Sequence, residues 1–128
     1  MKYLVTGGAG FIGSNLVNKL INNGDEVVVI DNFSLGKKRN CNDRAKYFNL
    51  DLSDTENFQN FVQILKNVDT VFHCAAIARV QPSIQNPIKY EKNNTIGLVN
   101  ILKAAVDANI RRFVYSSSSS IYGNSHIL

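Results

Sequence analysis

The sequence predicts an α/β protein built on a doubly wound parallel sheet of about five strands, and three observations carry that prediction. Short apolar runs alternate with segments of helical periodicity along the whole chain. A glycine-rich turn joins the first run to the first helical segment. The informative polar residues, Gly7, Asp31, Asp51, His73 and Ser116, all fall at the C-terminal ends of predicted strands. Strands that alternate with helices make a parallel sheet covered on both faces by right-handed crossovers. The expected spatial order is 3-2-1-4-5, with a crevice at the C-terminal edge where the order reverses between strands one and four.

The first strand covers 3–5 and runs into Gly7, Gly10 and Gly13. Ile12, Leu16 and Leu20 stand four apart, with Val17 and Ile21 beside them, which predicts an amphipathic helix. Glu26-Val27-Val28-Val29-Ile30 reads as the second strand and ends on Asp31. Residues 32–40 are a polar loop expected to wrap the same edge. Residues 46–50 form a short third strand, closing on Asp51. Ser53-Asp54-Thr55-Glu56 has the spelling of a capping box, with Ser53 capping and Glu56 reaching back. Phe58, Phe61, Val62 and Leu65 then follow at helical spacing. The fourth strand covers 69–73 and leads into Cys74-Ala75-Ala76. The stretch 77–87 holds both prolines, Pro82 and Pro87, so it is not one continuous helix. Helical periodicity resumes over 88–109, with Leu98, Ile101, Leu102, Ala105 and Val106 along one side. The fifth strand covers 112–116 and enters the five-serine run 116–120, which Ile121-Tyr122-Gly123 follows.

Composition excludes several classes. At 128 residues the chain holds one domain, and 45% hydrophobic with 19% charged residues is an ordinary globular balance rather than a disordered one. No apolar run reaches the roughly 18–20 residues of a membrane span, and the start lacks a signal-peptide pattern, so the expectation is a cytoplasmic protein without a membrane partner. The net charge is +4, but the basic residues form no stripe interleaved with aromatics, so no nucleic-acid partner is expected. Cys41 and Cys74 have neither a disulfide framework nor metal-ligand spacing, and no metal site is expected. Cys74, at the end of an apolar strand, reads as a small buried hydrophobe.

The glycine turn carries the chemistry. Gly8-Ala9-Gly10-Phe11-Ile12-Gly13 fits G-x-G-x-x-G, and Thr6-Gly7-Gly8-Ala9-Gly10-Phe11-Ile12-Gly13 fits T-G-x-x-G-x-x-G. Between a strand and a helix this spelling is a dinucleotide fingerprint, since glycines let the main chain approach a pyrophosphate at the helix N-terminus. Asp31 stands about 20 residues on, where a carboxylate accepts hydrogen bonds from a ribose diol. It repels a 2′-phosphate and so favours NAD over NADP. Lys37, Lys38 and Arg39 are the groups that could receive such a phosphate instead.

With these residues assembled, the chain resembles the N-terminal part of the extended short-chain dehydrogenase/reductases, and among them the NAD-dependent epimerases and dehydratases of nucleotide sugars, particularly the UDP-glucose 4-epimerase-like branch. The resemblance rests on Thr6 to Gly13, Asp31-Asn32, Asp51-Leu52, His73-Cys74-Ala75-Ala76, Asn94 and Ser116 to Gly123. It implies a Rossmann-type NAD-binding domain over 1–128, incomplete and without its substrate-binding part. It implies that Gly7, Gly10, Phe11, Ile12 and Gly13 cradle the pyrophosphate, that Asp31 and Asn32 hold the adenosine ribose, and that Asp51 and Leu52 border the adenine. Cys74, Ala75 and Ala76 would pass the nicotinamide ribose, Asn94 would support the backbone, and Ser118 would be the catalytic hydroxyl. The implied reaction is hydride transfer through a 4-keto sugar, with a UDP-sugar substrate and a homodimer for the full-length protein. The family's acid/base tyrosine with a lysine four positions on is missing here. Tyr122 is followed four residues later by His126, so the 128-residue chain alone is expected to be inactive. The alternative is a non-catalytic dinucleotide-binding or redox-sensing module.

Overall fold

The computed structural model describes residues 1–123; His126 lies outside them. Five parallel strands, β1 (Lys2–Thr6), β2 (Glu26–Asp31), β3 (Lys46–Asn49), β4 (Thr70–His73) and β5 (Arg112–Tyr115), lie in the order β3-β2-β1-β4-β5. This is the expected order. Helix α1 (Phe11–Asn22) follows β1 and α2 (Phe58–Leu65) precedes β4. Helices α3 (Val80–Gln85), α4 (Pro87–Glu91) and α5 (Gly97–Asp107) lie between β4 and β5.

The near-continuous apolar strands have a direct cause: both faces of the sheet are covered, so successive side chains enter different cores. Val27 and Val29 of β2, with Val5 of β1, pack against Val17, Leu20 and Ile21 of α1. Val28 and Ile30, with Leu4 and Val71, pack on the other side against Phe61 and Leu65 of α2 and Ile101, Ala104 and Ala105 of α5. Phe61, Leu65 and Ile101 are fully buried, and each contributes about 1.5–3 kcal/mol of transfer free energy.

Several local expectations are corrected. The buried face of α1 is Gly13, Val17, Leu20 and Ile21, whereas Ile12 is 65% exposed. Within the first turn Gly13 and Ser14 are buried against the loop, while Phe11 and Ile12 face solvent. Likewise Leu102 and Val106 of α5 point outward, and Gly97, Ile101, Ala104 and Ala105 are the buried set. The cap before α2 is Asp54, not Ser53: the Asp54 carboxylate accepts from the Glu56 N–H at 3.0 Å in a short 3-10 turn. Ser53 is turned instead toward Asp51, to which its hydroxyl donates at 2.7 Å.

The stretch with both prolines is helical on either side of a break. Asn86, at φ −138° and ψ 68°, separates α3 from α4 and caps α4 by accepting from the Lys89 N–H. Pro82 falls in the first turn of α3 and Pro87 opens α4, positions where a missing N–H costs little. From Pro87 to Asp107 the backbone stays helical but widens to a π turn over Lys92–Ile96. Such widened turns recur at functional sites because they re-aim a side chain.

Candidate functional site

The C-terminal ends of the strands converge on a cleft lined by Gly7, Gly10, Ile30, Asp31, Asn32, Leu35, Gly36, Asp51, Leu52 and the Cys74–Ala76 turn, among others. It is an open groove rather than an enclosed cavity, with room for about 110 Å³ within it. It opens at the expected crevice, between the ends of β1 and β4.

The glycine turn is built for close approach. Gly7 sits at φ +69°, and a Cβ there would stand 2.8 Å from the Ala75 Cα. At Gly13 a Cβ would collide with the Gly7 carbonyl oxygen, so the first turn of α1 lies directly on the loop. Gly10 is the N-cap of α1 and offers no side chain. Among the described residues the N–H groups of Phe11, Ile12 and Gly13 have no acceptor in the protein. Phe11 and Ile12 have strongly exposed side chains, so what they bring to the edge is main-chain N–H. The helix dipole adds its positive end there.

The far side is organised by Asp31. Its carboxylate is 7% exposed, with Oδ2 accepting from the Ala9 N–H at 2.9 Å and Oδ1 from the Phe33 N–H at 2.8 Å. The polar loop after β2 is fastened to the glycine turn at the same residue, because the Ala9 carbonyl accepts from the Lys37 N–H and from Asn40 Nδ2. Phe33 pays for this path with a left-handed backbone, φ 54°, a cost of order 1–3 kcal/mol. Asn32 Nδ2 donates to Asp51 Oδ2 at 3.0 Å, which joins the second and third strand ends. Burial alone would push the Asp51 carboxyl up. The Ser53 hydroxyl and N–H and the Asn32 amide outweigh that and hold it below its ordinary value.

On the β4 side, Cys74 is half-buried and lines the cleft, which corrects its reading as a buried hydrophobe. Asn94, on the π turn, clamps Ile77 from both sides: its Oδ1 accepts from the Ile77 N–H at 2.9 Å and its Nδ2 donates to the Ile77 carbonyl at 3.0 Å. Asn93, not Asn94, faces the cleft. Ser118 is exposed and caps a 3-10 turn, Ser119–Tyr122, by accepting from the Ser120 N–H. It follows β5 but does not line the cleft.

Of the residues singled out from the sequence, then, Gly7, Gly10, Asp31, Asn32, Asp51, Leu52, Cys74, Ala75 and Ala76 meet in one cleft. Phe11, Ile12, Gly13, Asn94 and Ser118 stand outside its lining. Sequence reasoning missed Gly36, where a Cβ would stand 2.8 Å from both Asp31 Oδ1 and the Ala9 Cβ. Thr6 and His73 were singled out as strand-end polar residues but given no role. A lone polar residue at the end of each apolar strand was the available signal.

Fold and cleft together define a Rossmann-type dinucleotide-binding architecture. A family model described as "NAD dependent epimerase/dehydratase family" matches residues 3–127, and the chain belongs to that family. It is 39% identical to a UDP-glucose 4-epimerase of Lactobacillus helveticus, over 96% of this chain and 37% of the relative. A crystal structure of the UDP-glucose 4-epimerase of Thermotoga maritima with UDP-glucose superposes with a TM-score of 0.92 at 39% identity, covering 100% of this chain and 41% of that one. The UDP-glucose 4-epimerase of Thermus thermophilus in complex with NAD superposes at 0.85 with 37% identity, over 92% of this chain and 38% of that one. The chain therefore spans about two fifths of the length of the relatives it matches.

Proposed function

We propose that this chain is the nucleotide-binding part of an NAD-dependent nucleotide-sugar epimerase or dehydratase acting on a UDP-sugar. The observation that carries the reading is the buried Asp31 carboxylate at the end of β2, fixed 2.9 Å from the Ala9 N–H of the glycine turn. The cleft suits the dinucleotide on its own chemistry. Glycines leave room where a Cβ would collide, three unpaired N–H groups at a helix start suit a pyrophosphate, and a fixed carboxylate suits a ribose diol.

In this reading Gly7, Gly10, Phe11, Ile12 and Gly13 receive the pyrophosphate through main-chain N–H groups. Asp31 accepts from the adenosine ribose, and Asn32 keeps Asp51 oriented beside the adenine. Cys74, Ala75 and Ala76 form the wall along the nicotinamide half, with Asn94 holding the backbone that follows. Bound NAD supplies a hydride acceptor and donor, which is what passage through a 4-keto sugar requires. Ser118 offers a hydroxyl for the sugar oxygen. Proton removal requires a tyrosine–lysine pair that these 128 residues do not spell, so the chain alone turns over no substrate. Among the described residues no helix is long and apolar enough to cross a membrane. A homodimer for the whole protein and the domain reading over 1–128 rest on the family likeness, and a cytoplasmic location rests on the sequence pattern alone.

The test is a calorimetric titration of the purified chain with NAD and then NADP, alongside Asp31→Ala. NAD binding that exceeds NADP binding and falls about tenfold or more in the variant is expected from the loss of charge-assisted hydrogen bonds. A folded chain that binds NADP as well as NAD, or that ignores Asp31→Ala, rules the reading out.

A further inference from the structure

Thr6 and His73 stand opposite each other in register at the ends of β1 and β4, outside the cleft lining but directly before its Gly7 and Cys74 walls in the chain. Both are buried, and the Thr6 Oγ1 lies 2.9 Å from His73 Nδ1. The same Oγ1 accepts from two main-chain N–H groups at 3.2 Å, that of Ala75 and that of Cys74, the latter shared with the Thr6 carbonyl oxygen, also at 3.2 Å. A hydroxyl oxygen has two lone pairs and one hydrogen. With the Ala75 and Cys74 amides on its lone pairs, the arrangement that uses the Thr6 hydrogen points it at His73 Nδ1 and leaves the neutral ring its proton on Nε2. The ring is packed against Phe113 and Tyr115, with centroids 6.0 and 5.7 Å away. Burial holds the imidazole neutral by pushing its pKa down to about 4.

We propose that His73 is a positioning residue of the dinucleotide cleft: by taking the Thr6 hydrogen on Nδ1, it aims the Thr6 oxygen at the Cys74 and Ala75 amides and fixes the wall they form. The inference rests on the dinucleotide reading above. That wall has no freedom to spare, because the Gly7 main chain lies against Ala75 with no room for a Cβ between them. A hydroxyl that donates is also a better acceptor, so each bond in the chain from His73 through Thr6 to the two amides strengthens the next. Without an acceptor at Nδ1, the Thr6 hydrogen would have to turn toward one of the amides it now serves, and the Cys74–Ala76 turn would shift at the point where β1 and β4 part.

The test compares three variants with the unaltered chain. Asn places an amide oxygen near the Nδ1 position, Gln places its amide near Nε2, and Phe keeps the ring without an acceptor. His73→Asn is expected to bind NAD within about threefold of the unaltered chain, while His73→Gln and His73→Phe lose about tenfold, the worth of one buried hydrogen bond. Affinities are read by calorimetry on samples matched for folded fraction by circular dichroism. In the unaltered chain, long-range nitrogen–proton NMR of the ring is expected to show the proton on Nε2. A proton on Nδ1 overturns the proposal, as does His73→Phe binding like the unaltered chain or His73→Asn losing as much as His73→Gln. If the unaltered chain does not bind NAD, the dinucleotide reading itself fails and this role falls with it; normal NAD binding with undisturbed variants sinks this role alone.

Discussion

Lowering the pH through the slightly acidic range tests the buried imidazole through stability rather than binding. Unfolded, His73 titrates near its ordinary 6.5; folded, burial pushes it down to about 4. Between those values the unfolded chain carries one more proton than the folded chain, so acid favours unfolding. The stabilisation is fully present above about pH 6.5 and is lost as the pH falls, at up to about 1.4 kcal/mol per pH unit. By pH 4 the total approaches about 3 kcal/mol, a large part of a typical domain's margin. Other shifted groups fall outside this window. The Met1 amine, raised from 8.0 by its hydrogen bond to Asp25, is protonated in both states throughout it. Asp51, lowered from 3.8, gives up its contribution only below the window, as pH falls through its folded value. Urea unfolding followed by circular dichroism, from about pH 7.5 down to about 4.5, reads the slope directly. His73→Asn removes the titrating ring, so the difference between the two proteins isolates it. Equal slopes in the two, or a flat profile in the unaltered chain, would refute the argument that burial keeps this ring neutral.

Two further outcomes follow from contacts at the glycine turn and the π turn. Gly13→Ala drives a Cβ into the Gly7 carbonyl oxygen, so the chain is expected to lose NAD binding and about 1–3 kcal/mol of stability. Calorimetry and a thermal melt check both, and wild-type affinity in this variant contradicts the packing seen here. Asn94→Ala strips both partners from the Ile77 peptide groups, at a cost of about 1–3 kcal/mol in the urea midpoint. The Ile77 amide should then exchange with solvent markedly faster, and unchanged exchange would show that the clamp is not what protects it.

Periodicity and punctuation made the sheet legible. The alternation of apolar runs with helical spacing, and the polar residue closing each strand, were enough for the strand order and for the edge on which the site lies. Less legible was whatever depends on where one segment ends over another. Ile12 has the spacing of Leu16 and Leu20, but the buried stripe of α1 runs through Gly13, Val17 and Ile21, which leaves Ile12 on its solvent flank. Ser53 and Asp54 both have capping side chains, and the choice between them was made by Asp51, which occupies the Ser53 hydroxyl from a neighbouring turn. The π turn that aims Asn94 at Ile77 has no spelling of its own in the sequence. Gly36 looked like one more loop glycine until the loop closed on Asp31.

The loop that closes on Asp31 also bears on cofactor choice. Lys37, Lys38 and Arg39 follow the aspartate closely in sequence and could have neutralised a 2′-phosphate. Yet all three are exposed, and among the described residues none is paired with Asp31. What satisfies the carboxylate is two main-chain N–H groups, one on each oxygen, which leaves each oxygen a lone pair for a hydroxyl donor. A phosphate offers no donor in that place and brings negative charge against a buried negative group. At about 4 Å and an effective dielectric near 20, that repulsion is about 4 kcal/mol per unit charge, more than three solvent-screened cations are able to offset. In the proposed reading a preference for NAD over NADP follows from how the carboxylate is satisfied, and the NADP arm of the titration tests whether the basic loop beside it reverses the sign.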